Sequence, residues 1–141
     1  ELSDEQLTHL VYFLSQLAPP APKREVPAGL RLFEHLGCDG CHIPKLVGME
    51  GEIPAYTDLL LHETSTQANQ GVADGEASTT QYRTPPLWGL ADTAPYMHDG
   101  SASTVEAAIL AHGGEAQAIR DAFEALNDQE RAPLIEFLQT R

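Results

Sequence analysis

GCDGCHIP, residues 37–44, is the stretch on which the reading of the whole chain turns. It holds Cys38 and Cys41, the 2 cysteines of the 141-residue chain, with His42 directly after the second. Three chemistries use a Cys-x-x-Cys. A structural zinc site needs four Cys or His ligands, usually in two pairs, and no closely spaced histidine pair exists here to complete one. A thioredoxin-like redox dithiol follows a strand in a βαβ unit, and no segment rich in Val, Ile or Tyr precedes Cys38. Covalent c-type haem attachment has C-x-x-C-H as its signature. Two thioethers fix the porphyrin edge, and the adjacent imidazole of His42 is placed under the iron as proximal ligand. Haem is the preferred reading, and a dithiol without haem is its rival.

The flanks agree. PAGLRLFEHLG, residues 27–37, predicts a short amphipathic helix with Leu30, Phe33 and Leu36 on one face and Gly37 at its end. Helical periodicity dominates the chain, and strand signals are scarce. The expected fold class is therefore all-α: a cytochrome c-like helical domain with long irregular loops around one covalent haem c.

Charge and hydropathy narrow the partners. The net charge of −13 argues against nucleic acid and against anionic membrane surfaces. An acidic face could dock a basic redox protein, although solubility explains it as well. No apolar run approaches the length of a transmembrane helix, so no membrane insertion is expected. No signal peptide is visible, and the chain opens with Glu1 rather than Met. The expectation is an interior piece of a longer, processed precursor. Haem attachment to this motif implies the periplasm or its equivalent.

Along the chain, LSDEQLTHLVYFLSQL predicts a helix with a Ser3/Gln6 capping box and an apolar stripe of Leu7, Leu10, Val11, Leu14 and Leu17. APPAPKREVP, residues 18–27, is a Pro-rich linker. Residues 43–81 read as loop, interrupted by a turn or two of helix at TDLLLH, residues 57–62; QANQGVADGEASTTQ, residues 67–81, reads as an exposed loop. STVEAAILAHGG predicts a helix capped by Ser103 and Glu106 and stopped at Gly113, and two more helices finish the chain.

One internal similarity bears on organisation. Leu2, Asp4, Leu10, Phe13 and Leu14 match Leu126, Asp128, Leu134, Phe137 and Leu138 at a constant offset. A capped helix ending in Phe-Leu typically closes a small cytochrome c domain. Residues 1–27 are thus expected to be the terminal helix of a preceding domain plus a linker, and residues 28–141 the haem domain.

YRTPPLWGLADTAPYMHDGSASTVEAAILAHGGEA, residues 82–116, resembles the C-terminal half of the bacterial di-haem cytochrome c peroxidase superfamily. PAYTDLLLH and VADGE bring it closer to the di-haem oxidoreductase, or thiol oxidoreductase, branch. The resemblance runs from about residue 2 to 141, and its specific blocks are TPPLWGL and PYMHDG. It implies two haem domains in the whole protein, an N-terminal peroxidatic haem and a C-terminal haem that relays electrons. This chain matches the C-terminal domain and only the tail of the N-terminal one. The partner implied is the preceding haem domain of the same precursor, beside a redox protein that the sequence does not identify. Where the branch often has Asp-Met-Gly after TDLLLH, this chain has Glu63, Thr64 and Ser65.

The sixth iron ligand stays open among Met49, His62, Met97, His98 and His112, or an empty position. In the related peroxidases the helix after PYxHDG ends in an axial methionine, and alignment of Val105–Ile109 places His112 there. His112 is the preferred ligand, Met97 the next. A helix C-terminal histidine favoured by the macrodipole explains His112 equally simply. His9 and His35 read as surface residues. Arg83, the one Lys or Arg between Lys45 and Arg120, is a candidate partner for propionates. Trp88 either fills core or stacks near the porphyrin, and Tyr96, His98 and Asp99 look like a hydrogen-bonding cluster. The function expected is electron transfer through the haem as the C-terminal module of a periplasmic di-haem oxidoreductase, with no complete active site in this chain. The alternative is a peroxidase with an open or displaceable sixth site.

Overall fold

A computed structural model describes residues 2–48, 51–64 and 71–141. Five α-helices are present among them: α1 Asp4–Ser15, α2 Pro27–Leu36, α3 Val105–Leu110, α4 Gln117–Glu124 and α5 Asp128–Leu138. Short 3-10 turns occupy Cys38–Gly40, Leu90–Asp92 and Gly114–Ala116. The all-α expectation is wrong. β1 Leu46–Gly48 pairs antiparallel with β2 Gly51–Ile53, and β3 Leu61–Glu63 with β4 Gln81–Arg83. The fold is mixed and cytochrome-like, with five helices and two small antiparallel sheets among the described residues. Strands of 3 residues are too short to show a period-2 alternation.

The helical turn expected at TDLLLH is also absent. The Thr57 hydroxyl accepts the Leu59 N–H at 2.9 Å, and the Asp58 carboxylate accepts the Leu60 N–H at 2.9 Å. These local bonds compete with a helix for the same donors. Leu59 turns into the left-handed region at φ 61°, and the chain enters β3.

The core forms where α2 crosses α5. Phe33 of α2, Phe137 of α5 and Tyr56 pack with ring centroids 5.5–5.9 Å apart. Phe123, Leu134 and Leu138 complete the cluster. Gly29 is buried at the crossing, against the Pro133 carbonyl and the Phe137 Cβ. Gly37 caps α2 in the left-handed conformation at φ 89°, which turns the chain directly into Cys38. At α3 the cap is Thr104, whose hydroxyl accepts the Ala107 N–H at 3.0 Å, and not Ser103. The Glu106 expected to complete a box with Ser103 instead pairs with Arg131 at 2.8 Å.

α1 and α5 carry the same capping box, Ser3 with Gln6 and Asn127 with Glu130. Their burial is opposite. Leu134, Phe137 and Leu138 are 0%, 1% and 5% exposed, whereas the matching Leu10, Phe13 and Leu14 are 42%, 58% and 55% exposed. The Pro-rich segment between α1 and α2 is tied down. The Lys23 N–H donates to the Thr140 carbonyl at 2.9 Å, Lys23 pairs with Asp92 at 2.9 Å, and Arg24 pairs with Glu136.

Candidate haem-binding cavity

A cavity of about 500 Å³ lies among α2, α3, α4, α5, β4 and the chain that follows β4 to residue 98. Its wall is mostly apolar, built from side chains such as Phe33, Leu87, Val105, Ile109, Leu134 and Leu138. It brings together Cys38, Cys41, His42, Arg83, Trp88, Tyr96, Met97, His98 and His112.

His42 is half-buried, and its Nδ1 lies 3.0 Å from the Tyr56 carbonyl. That carbonyl is aimed by an unusual backbone: Tyr56 holds φ 53°, left-handed for a bulky residue. Packing of its ring between Phe33 and Phe137 keeps it there. Burial pushes the His42 pKa below its ordinary value, against the pull of the Tyr56 carbonyl, and neighbouring His112 lowers it further. A neutral ring that donates Nδ1–H leaves its Nε2 lone pair free. His112 repeats the arrangement. Its Nδ1 lies 2.7 Å from the Ala108 carbonyl in the last turn of α3, which also accepts the Ala111 N–H at 3.2 Å. Two imidazoles in one cavity thus each present Nε2.

The thiols are free. Burial, then Asp39, pushes the Cys38 pKa up to about 11. Burial, then Asp58 and Glu115, raises that of Cys41. A reactive dithiol needs a lowered pKa and a thiolate, so this environment opposes the thiol–disulfide reading.

The remaining residues occupy the rim and walls. Arg83 is exposed at the cavity edge on β4. Trp88 is 37% exposed and donates its indole N–H to the Pro54 carbonyl at 2.8 Å, so it is not core filling. The expected Tyr96–His98–Asp99 cluster separates into three sites. The Tyr96 hydroxyl donates to the Leu90 carbonyl at 2.8 Å, His98 stacks on Tyr82 at 4.1 Å, and Asp99 accepts the Ser101 N–H at 3.0 Å. Met97 lines the cavity at φ 70°. His9 and His35 are exposed. Met49, one of the candidate sixth ligands, lies outside the described residues, as do residues 67–70 of the expected exposed loop.

Sequence reading missed Arg120 and Tyr82 on the cavity wall. It also missed the partners of His62, whose Nε2 lies 2.8 Å from Asp58 and Nδ1 2.9 Å from Glu115. The Asp58/His62 spacing of four was a visible signal; Glu115 was not, being 53 residues from His62.

An apolar cavity that gathers a Cys-x-x-Cys-His and a second imidazole among helices is the pocket of a cytochrome-like redox domain. The chain belongs to the di-haem oxidoreductase family: the family described as "Di-haem oxidoreductase, putative peroxidase" matches residues 1–141. This family is haem-binding and carries out redox chemistry. The chain is 31% identical over 117 residues to the cytochrome c551 peroxidase of Nitrosomonas europaea, across 79% of this chain and 32% of that protein. It therefore spans about a third of the length of this curated relative. In fold it is similar to a chain of the Kuenenia stuttgartiensis hydrazine synthase determined under xenon pressure. The TM-score is 0.74 at 20% identity, over 100% of this chain and 56% of that one. Among the described residues no helix is long and apolar enough to cross a membrane.

Proposed function

We propose that this chain is a six-coordinate electron-transfer domain, the C-terminal module of a periplasmic di-haem oxidoreductase, with one covalently attached c-type haem. Cys38 and Cys41 would form the thioethers, and His42 and His112 would ligate the iron. The observation that carries this reading is the matched pair of imidazoles, each donating Nδ1–H to a backbone carbonyl and leaving Nε2 free in the same cavity. A second-sphere carbonyl at Nδ1 fixes the tautomer and raises ligand basicity. The apolar wall and the two adjacent sulfurs fit a flat, largely apolar cofactor. Arg83 at the rim is the candidate partner for a propionate. When bound, the haem supplies one-electron chemistry at iron.

Intact mass tests the attachment. The denatured chain should exceed its polypeptide mass by one haem, and the haem should stay with the protein in acidic butanone. Haem that extracts into the solvent contradicts the thioethers.

The same reading makes α1 the closing helix of a preceding haem domain. Support comes from the reversal of burial between α1 and α5 at matching positions. An isolated helix of 12 residues is marginal in water. In this 141-residue chain, α1 amides should therefore exchange at least about a hundredfold faster than those of α5, which open only with the core. Equal protection would make α1 an integral part of this domain.

A further inference from the structure

Four histidines line the cavity, His42, His62, His98 and His112, and His62 differs from the other three. His62 has a carboxylate at each ring nitrogen: Asp58 Oδ2 lies 2.8 Å from Nε2, and Glu115 Oε2 lies 2.9 Å from Nδ1. A neutral imidazole has one N–H and one lone pair. Only the imidazolium can donate to both carboxylates.

The two carboxylates come from distant parts of the chain. Asp58 precedes β3. Glu115 lies in the turn Gly114–Ala116, three residues after His112. Glu115 Oε1 also accepts the Glu63 N–H at 2.9 Å, and the Gly113 N–H donates to the Thr64 carbonyl at 2.7 Å. Gly114, at φ 52°, lies so close to the Glu63 carbonyl that any Cβ there would collide with it. The segment that carries His112 is thus fastened to β3, and His62 is the charged centre of the fastening.

We propose that Asp58, His62 and Glu115 form a protonation-dependent clasp that holds the His112 segment against β3. The clasp stands on these contacts alone; its consequence, control of the distal iron position, rests on His112 being a ligand. His62 and Glu115 are positioning residues in this account. Besides the two carboxylates, the groups facing His62 are the Cys41 thiol, close to both Asp58 and His62, the His42 imidazole, which feels the His62 charge, and Tyr82, its register partner on β4. Cys41, Asp58 and His62 have the composition of a metal site. However, His62 Nε2 and Asp58 are already bonded to each other, and Cys41 belongs to the attachment motif.

Glu115 first and Asp58 second raise the His62 pKa above its ordinary value. The clasp is therefore at full strength below the ordinary histidine pKa, and it is lost as pH rises through the raised one. After deprotonation one carboxylate faces a lone pair. The Glu115→Gln variant escapes this loss, because an amide N–H can donate to Nδ1 of neutral His62 while Nε2–H still donates to Asp58. The His62→Gln variant has one amide, whose oxygen would face a carboxylate, so the clasp is weakened at every pH.

Residue-resolved hydrogen exchange of the Glu63 and Gly113 amides tests this in the haem-loaded chain, with rates corrected for intrinsic pH dependence and referred to the Phe137 amide of α5. In the native chain, protection should fall about tenfold or more between about pH 6 and about pH 10, the loss of one charge-assisted bond. Glu115→Gln should keep its protection across that range, and His62→Gln should lack it throughout. Protection that is flat with pH in the native chain, or unchanged in His62→Gln, overturns the clasp. Exchange does not read the iron. A wrong distal ligand would show in the spectrum of the native chain with the exchange result intact.

Discussion

Replacing His112 by glycine should convert the ferric chain from a low-spin to a high-spin absorption spectrum and let it bind cyanide readily. The native side chain presents Nε2 to the cavity because Ala108 holds Nδ1. Glycine removes that donor and leaves space for water or an added ligand. His112→Met should instead keep six ligands, restore a long-wavelength Met–iron band, and raise the potential by on the order of 100 mV, because Met/His ligation raises it relative to two imidazoles. If His112→Gly stays low-spin at an unchanged potential, the distal ligand is elsewhere, and Met97 is the next residue to replace.

The second large effect concerns the helix crossing that supports the cavity floor. Gly29→Ala should destabilise the chain by a net of about 2 kcal/mol. An alanine gains about 1 kcal/mol in helix propensity. Its Cβ collides with the Pro133 carbonyl oxygen and the Phe137 Cβ. A backbone oxygen cannot rotate away, so α2 and α5 must separate, at about 3 kcal/mol. Chemical denaturation reads the difference, and a variant as stable as the native chain would show that the crossing is not close-packed. Because α2 leads directly into Cys38 and α5 contributes Leu134 and Leu138 to the cavity wall, the same separation should loosen the pocket.

Local features were legible in the sequence. The Ser3/Gln6 capping box and the end of α2 at Gly37 are written in residues a few positions apart, and the structure carries both. The gathering of a Cys-x-x-Cys-His with His112 followed from a family resemblance, since 70 residues separate His42 from His112. Long-range competition was not legible. Ser103 and Glu106 form a valid capping pattern, but Arg131 draws Glu106 away and Thr104 takes the cap. TDLLLH reads as helix until the side chains of Thr57 and Asp58 claim the next N–H groups. Strands β1 to β4 exist by pairing and not by propensity, so three residues of each carry no readable pattern. The Asp58–His62–Glu115 arrangement depends on a turn 53 residues from His62, a distance over which no spacing rule operates.

The central claim is that His42 and His112 both occupy the iron and leave no site for peroxide. It is tested most directly by the low-temperature electron paramagnetic resonance spectrum of the native ferric chain, recorded with and without hydrogen peroxide. Two imidazole ligands predict a low-spin signal that peroxide leaves unchanged. A high-spin axial signal, or one that peroxide converts, would contradict that ligation and identify the domain as a peroxidase with an open distal position.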